Sequence, residues 1–138
     1  PLDLMQPYRL EMGTRFANAA GKDLYAFWGE TLLDAINAEL DAMPRPVVVN
    51  LASEEYFKAA LGRKIQGTVI QPVFEDWKNG KYKIISFYAK RARGLMTRYA
   101  VLNRLTEPEG LQGFDSDGYG FVPEASDATT WVFRRREG

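Results

Sequence analysis

The sequence predicts an α/β or α+β fold, in which helices flank a mixed sheet. The prediction rests on stretches with helical periodicity that alternate with short runs of β-branched and aromatic residues. The 138 residues, of which 46% are hydrophobic, suffice for one domain with a buried core. No repeat, low-complexity tract or flexible linker divides the chain. We therefore expect residues 1–138 to belong to one domain.

The first half of the chain predicts two helices with a strand between them. Residues 22–42 show the period of a helix that buries one face, and this apolar face includes Phe27 and Trp28. Proline residues just after this stretch end the predicted helix. The short apolar run over 47–52 is typical of a strand that is covered on both faces. Ser53 follows as a favourable N-cap for a second helix over 54–61.

The middle of the chain predicts a hairpin followed by a long helix. Thr68–Phe74 and Tyr82–Phe87 are rich in β-branched and aromatic residues. The Asn-Gly pair at 79–80 lies between them and favours a tight turn. Residues 88–105 then carry an apolar stripe at helical spacing, with basic residues off that stripe.

The last third predicts a short helix and a closing pair of strands. Pro108 favours a helix start and predicts a short helix over 108–113. Gly118–Val122 and Thr129–Arg135 have the composition of strands. Strands and helices mixed in this order support the predicted mixed sheet.

The composition excludes several kinds of chemistry. The chain has no Cys and no His, so it cannot supply a Ser-His-Asp triad, a thiolate zinc site or a His-ligated haem. No pattern predicts a cofactor, a metal site or a set of catalytic residues. No apolar run is long enough to cross a membrane and no signal peptide is recognisable, which predicts a cytoplasmic protein.

The balanced net charge conceals three unlike segments. The chain has 18 basic and 18 acidic residues. Residues 1–57 contain four basic and nine acidic residues, and residues 105–138 contain three and seven. Residues 58–104 contain eleven basic and only two acidic residues, and 81–104 contain seven basic residues and no acidic one. Such asymmetry indicates a polyanionic partner, unless the acidic flanks fold over the basic stretch and neutralise it.

The basic stretch supplies the candidate nucleic-acid-binding residues. Cations near a helix N-terminus oppose the helix dipole, so an anion such as phosphate is a natural counter-charge. Aromatic residues interleaved with the cations could stack bases, although such spacing is more typical of a core. The alternative is a solvated face, or one paired with Asp115 and Asp117. The candidates within this stretch are Lys81, Lys83, Lys90, Arg91, Arg93 and Arg98.

A second candidate site follows the predicted strand over 47–52. The junction of a strand and a helix is a common ligand site in α/β folds, and its candidate residues here are Ser53, Glu55, Tyr56 and Lys58. The alternative is ordinary helix capping by Ser53. Together with Lys90, these groups could serve an enzyme that acts on a nucleic acid or a phosphorylated small molecule. That hypothesis requires them to converge in one pocket.

Four blocks of the sequence resemble a known family. They are Pro1–Gly13, Phe27–Gly29, Asn50–Lys58 and Ile85–Met96. These blocks resemble the C-terminal part of the YaaA family of bacterial peroxide stress proteins, and the likeness covers essentially all 138 residues. The chain is therefore expected to be a fragment of a larger single domain. The resemblance also implies that a preceding N-terminal part packs against it.

The resemblance implies a function as well as a fold. It implies a cytoplasmic protein that helps limit free iron and DNA damage during oxidative stress by hydrogen peroxide. It further implies sequence-independent binding of double-stranded DNA through a basic cleft and a helix-hairpin-helix element. The stretch Lys81–Arg104 would map to that cleft, with Arg9 as a further contact. Only the second helix of the helix-hairpin-helix, near Pro1–Met5, would lie in this sequence.

Overall fold

The computed structural model describes residues 11–15, 17–60 and 64–136. Predictions that concern Pro1–Met5 and Arg9 lie outside these described residues. The described elements are the helices α1 (Leu24–Trp28), α2 (Thr31–Asp41), α3 (Glu54–Ala59) and α4 (Ser86–Leu102), and the strands β1 (Val47–Val49), β2 (Thr68–Lys78), β3 (Lys81–Lys83), β4 (Gly120–Phe121) and β5 (Thr130–Arg135). Short 3-10 helices cover Pro108–Gly113, Ser116–Gly118 and Pro123–Ala125.

The strands form a mixed sheet, as the sequence predicts. Its order is β1-β2-β5-β4, and β3 pairs with the far end of β2. β2 runs parallel to both β1 and β5, whereas β3 and β4 pair antiparallel with their neighbours. The long strand β2 therefore reaches from β1 at Thr68–Ile70 to β3 at Asp76–Lys78 and connects the two parts of the sheet.

The core lies between the sheet and α4. Alternate residues of β2 are buried, as expected for a strand with one face against a helix. Phe74 is central: its ring contacts those of Phe114, Tyr119 and Phe133 at centroid distances of 5.4–5.9 Å. The core residues are Ile70, Phe74, Ala89, Ala92, Met96, Leu111, Phe114, Tyr119, Trp131 and Phe133. This packing fixes which face of α4 points away from the sheet.

The prediction of one continuous helix over 22–42 is wrong. The segment forms two helices, of which α1 ends at Trp28 and α2 begins at Thr31. Gly29 lies between them with a φ of 50°, a left-handed conformation that glycine adopts without steric cost and that ends a helix. The break falls directly after an aromatic pair, Phe27 and Trp28.

Other boundaries differ by a few residues. β1 ends at Val49, and its three valines are half-buried and not fully covered. The hairpin strand β2 continues to Lys78, whereas β3 ends at Lys83. α4 begins at Ser86 and ends at Leu102, and Arg104 just beyond it has a φ of 49° that no helix accommodates. In the part of the chain that the structure describes, no helix is long and apolar enough to span a membrane.

Candidate functional site

A cleft of about 1020 Å³ lies between α4 on one side and α1 and α3 on the other. The segment before α1 contributes Glu11 and Met12 to its lining. Its described lining residues are Glu11, Met12, Leu24, Phe27, Trp28, Leu51, Ser53, Glu55, Tyr56, Lys90, Arg93, Gly94 and Thr97. The cleft therefore brings together residues of both candidate sites that the sequence indicates.

The α4 wall of the cleft is basic. Lys90, Arg93, Gly94 and Thr97 follow the spacing of one helix face, three and four residues apart. The neighbouring face carries Ala89, Ala92 and Met96 and packs on the sheet, so the cleft face points away from the core. Among the described residues, no carboxylate lies within ion-pair distance of Lys90 or Arg93. Both cations are thus available to an anionic ligand.

Gly94 leaves space in the same wall. A Cβ atom built at this position would meet nothing within 4 Å. Packing therefore does not require a glycine here, although glycine in a helix interior destabilises the helix by about 1 kcal/mol relative to alanine. The missing side chain widens the cleft between Arg93 and Thr97.

The opposite wall begins with Ser53. Ser53 occupies the N-cap position of α3, as predicted, but its side chain makes no capping hydrogen bond. The Oγ atom is buried and has no hydrogen-bond partner in the described structure. Capping, the simpler interpretation of Ser53, therefore does not explain its side chain. An unpaired buried hydroxyl costs free energy, and Ser53 is one of the residues that line the cleft.

Glu55 is held in place by contacts from two other segments. The backbone N–H of Met12 donates to Glu55 Oε1 at 2.9 Å. The hydroxyl of Tyr25 in α1 donates to the backbone carbonyl oxygen of Glu55 at 3.0 Å. Burial and the nearby Glu55 carboxylate raise the pKa of Tyr25, so this hydroxyl keeps its proton. These contacts join α1, α3 and the segment before α1, and they fix the carboxylate at the cleft.

Three exposed aromatic rings also line the cleft. Phe27 and Trp28 at the end of α1 meet edge to face, with ring centroids 5.4 Å apart. Tyr56 on α3 is 53% exposed and Phe27 is 49% exposed. The helical pattern of the sequence assigns Phe27 and Trp28 to a buried stripe. Gly29 was the signal for the correct interpretation, because a helix that ends there leaves these two rings at its end.

The predicted pocket residues do not all lie in one place. Ser53, Glu55, Tyr56 and Lys90 line the cleft, together with residues that the prediction did not name. Lys58 is not among the described lining residues, and its Nζ lies 5.2 Å from the centroid of the Tyr25 ring. A functional role for any of these residues stays a prediction.

The predicted nucleic-acid-binding residues fall into different places. Of the described ones, only Lys90 and Arg93 line the cleft. Lys81 and Arg98 are exposed and Lys83 is half-buried. Arg91 points elsewhere: its Nε donates to Asp117 Oδ2 at 2.7 Å, which lowers the pKa of Asp117. The alternative in which an acid neutralises part of the basic stretch therefore holds for Arg91.

A buried network lies beyond Arg91. The Nε of Arg135 donates to Asp76 Oδ1 at 2.6 Å, and the hydroxyl of Tyr119 donates to Asp76 Oδ2 at 2.8 Å. The side chains of Arg135 and Asp76 are 11% and 7% exposed. Burial and the hydrogen bond to Asp76 raise the pKa of Tyr119 well above its usual value. These charges stabilise the junction of β2, β5 and the 3-10 helix at Ser116–Gly118.

Most of the aromatic residues that lie between the cations of the basic stretch pack against other side chains of the protein. Tyr82 packs against Trp77 with a centroid distance of 4.9 Å, and Tyr99 packs against Phe114. The guanidinium of Arg135 lies over the ring of Tyr88. Phe87 differs, since it is 74% exposed. The rings that line the cleft come from α1 and α3 instead.

A smaller groove of about 510 Å³ lies near the C-terminal end of α4. It is mostly apolar, with Val47, Val49 and Ala100 among its lining residues. Val101 and Leu102 are 71% and 67% exposed. The expected contact of a preceding N-terminal part with this chain stays a prediction. Within residues 11–15, 17–60 and 64–136, no group of three or more acidic side chains is placed to hold a metal ion.

The fold and the cleft define an α/β protein with a surface site that has one basic wall and one acidic and aromatic wall. The family model for the peroxide stress protein YaaA matches residues 1–125. The chain belongs to this family of peroxide stress proteins, as the sequence blocks indicate.

Curated relatives carry the description UPF0246 protein. The chain is 85% identical over 137 residues to one from Dechloromonas aromatica, covering 99% of the chain and 53% of the relative. It is 65% identical over 140 residues to one from Aromatoleum aromaticum and 62% identical over 136 residues to one from Ralstonia nicotianae. In both cases 99% of the chain is covered, with 54% and 53% of the relatives. The chain thus spans about half the length of these relatives.

Proposed function

We propose that this chain contributes a DNA-binding cleft to a peroxide stress protein, and that it binds double-stranded DNA without sequence preference. The observation that carries the proposal is the pair Lys90 and Arg93, which share one face of α4 and line the cleft without an ion-pair partner among the described residues. Arg binds phosphate oxygens in a bidentate manner and Lys acts as a point charge. Contacts of this kind position a nucleic acid without reading its sequence.

Neighbouring cations extend the proposed surface. Lys81 at the start of β3 and Arg98 on α4 are exposed, and neither has an ion-pair partner among the described residues. The acidic wall with Glu11 and Glu55 limits the path of a phosphate backbone, because carboxylates repel phosphates. The proposed DNA contact is therefore confined to the α4 side of the cleft.

Salt-dependent binding tests the proposal. Each phosphate that a cation neutralises releases counterions, so affinity falls with salt and the logarithmic slope reports the number of contacts. We expect the double variant Lys90→Gln, Arg93→Gln to bind a 20-bp duplex roughly tenfold or more weakly, with a slope reduced by about two. Fluorescence anisotropy at several salt concentrations, with duplexes of two unrelated sequences, measures both quantities.

A matched control carries the same change of charge elsewhere. Arg45 pairs with Glu109 at 2.6 Å and Lys64 pairs with Glu30 at 2.7 Å, and neither cation lines the cleft. The double variant Arg45→Gln, Lys64→Gln is expected to retain the salt slope of the unmodified chain. Equal losses in both double variants would show a general charge effect and contradict the proposal, as would an affinity that does not depend on salt.

The family membership connects this binding to oxidative stress. We propose that the complete protein protects DNA during exposure to hydrogen peroxide and helps limit free iron. The matching family model supports the link to peroxide stress. Cells that carry the Lys90→Gln, Arg93→Gln protein are expected to accumulate more DNA strand breaks after peroxide treatment than cells with the control variant. An equal number of strand breaks in the two kinds of cells would show that DNA binding through these residues does not protect DNA.

An enzyme that acts on a nucleic acid or a phosphorylated small molecule is a second candidate. It is favoured by the unpartnered Ser53 Oγ, which lines the same cleft as Glu55, Tyr56 and Lys90. If this candidate is correct, incubation with DNA or nucleotides yields a product, and Ser53→Ala abolishes product formation without weakening binding. Unchanged substrates after long incubation would exclude it for those substrates.

A further inference from the structure

We propose that the cleft accepts one unpaired nucleotide unit, with its phosphate at the α4 wall and its base at the opposite wall. This inference rests on the proposed DNA binding and specifies which part of a nucleic acid enters the cleft. It starts from the unequal walls of the cleft. Lys90 and Arg93 line one side, whereas Glu55 and three aromatic rings line the other.

The acidic wall favours a base over a phosphate. Glu55 Oε1 accepts the hydrogen bond from Met12 N–H, which holds the carboxylate in position. Carboxylates accept hydrogen bonds from exocyclic amino groups of bases but repel phosphate oxygens. Ser53 lines the same cleft, and its hydroxyl, which is buried and unpartnered in the described structure, can donate to or accept from a base once its rotamer changes. In paired DNA the Watson–Crick edges are occupied, so these groups suit a base that is out of its pair.

The aromatic rings supply a stacking surface. Tyr56 is 53% exposed and lies on α3, across the cleft from the basic helix. Phe27 and Trp28 are 49% and 37% exposed at the end of α1. Exposed rings in a concave site bind bases by stacking, which tolerates any sequence because every base has a π-face. Stacking therefore agrees with binding that does not select a sequence.

The open cleft is large enough to admit a nucleotide unit. Its volume of about 1020 Å³ is at the upper end of the range for pockets that enclose small ligands. Gly94 provides the open space in the basic wall, since a Cβ there would meet nothing within 4 Å. A base extruded from a strand enters such a pocket while the flanking phosphates stay on the basic helix.

A comparison of three probes tests this inference on the full chain. The probes are a 20-bp duplex, the same duplex with one bulged nucleotide, and a free nucleoside 5′-monophosphate used as competitor. We expect the bulged duplex to bind about tenfold more tightly than the perfect duplex, because the stacking of one base on an aromatic ring contributes about this much affinity. A 2-aminopurine at the bulge is expected to lose fluorescence on binding, because stacking on an aromatic ring quenches it.

A cleft variant and a control variant show where the base lies. Tyr56→Ala is expected to remove the preference for the bulge and the quenching, while binding of the perfect duplex and its salt slope remain. Phe87→Ala is the control, because Phe87 is 74% exposed and does not line the cleft. It is expected to behave like the unmodified chain. If Tyr56→Ala binds neither duplex, Trp28→Leu provides the second test of the same wall.

The outcomes separate this inference from the proposed function. Equal affinity for the perfect and bulged duplexes, with no quenching, overturns the nucleotide pocket and leaves duplex binding intact. Failure to bind any DNA overturns the proposed function. If the free monophosphate binds in a Tyr56-dependent manner without DNA binding, the pocket is supported and its ligand is a free nucleotide. If the monophosphate competes with the bulged duplex but not with the perfect duplex, the result supports a nucleotide pocket that is used during DNA binding.

Discussion

Two faces of α4 carry basic residues with different surroundings. On the cleft face, Lys90 and Arg93 have no ion-pair partner among the described residues. On the other face, Arg91 pairs with Asp117, which lies beside the buried pair of Arg135 and Asp76. Three basic residues within four positions thus face either the cleft or a structural network, according to the helical period. The basic run of this sequence is therefore not one functional surface.

The largest expected effect is a loss of stability when the buried pair of Arg135 and Asp76 is broken. Asp76→Ala removes the partner of Arg135, whose side chain is 11% exposed, and also the acceptor of the Tyr119 hydroxyl. Loss of one partner of a buried ion pair costs about 3–5 kcal/mol, so we expect the free energy of unfolding to fall by about that amount. Urea denaturation measures it. Asp76→Asn retains an acceptor and is expected to lose less; equal losses would contradict the importance of the hydrogen bonds.

A smaller effect, an increase in the free energy of unfolding, is expected from a substitution in the cleft. Gly94→Ala is expected to raise the free energy of unfolding by about 0.5–1 kcal/mol, because alanine favours the helix and its Cβ meets no other atom. The same Cβ narrows the cleft, so affinity for a bulged duplex is expected to fall. Thermal unfolding and anisotropy measure the two effects. A more stable variant with unchanged affinity would show that the ligand does not approach this position.

The smallest expected effect is a pH dependence at Asp117. The hydrogen bond from Arg91 lowers the pKa of Asp117 below its usual value. A carboxylate with a lowered pKa in the folded state stabilises the protein above its unfolded-state pKa, and that stabilisation is lost as the pH falls through the folded-state value. Asp117→Asn is therefore expected to reduce stability slightly at pH 7 and not at pH 2. Urea midpoints at both values test this, and an equal difference at both would contradict it.

The sequence predicts the mixed sheet and most of its elements, because alternation, helical period and turn residues are local signals. It does not predict that Phe27 and Trp28 are exposed, because their spacing fits a buried stripe equally well. The two rings are exposed because the helix ends at Gly29, which has a φ of 50°. The sequence offers Asp117 as a possible partner of the basic stretch but does not predict that Arg91 is the cation it pairs with, because Asp117 is 26 residues away and joins Arg91 only through tertiary packing.

The two candidate sites are predicted separately, and the structure joins them. Ser53, Glu55 and Tyr56 precede Lys90 by more than thirty positions, so no local pattern places them in one cleft. Their convergence depends on β2, which connects the edge of the sheet at β1 to the hairpin that leads into α4. The unpartnered hydroxyl of Ser53 is also a property of the folded chain, because the sequence alone favours a cap.

The most direct test follows the two arginines during DNA binding. NMR titration of the chain with a 20-bp duplex, observed at the Nε–Hε groups, reports on Arg93 in the cleft and on Arg91 at Asp117. We predict that the Arg93 resonance shifts with saturating DNA while the Arg91 resonance keeps its position. A shift of Arg91 with Arg93 unchanged would place the DNA on the other face of α4 and contradict DNA binding in the cleft.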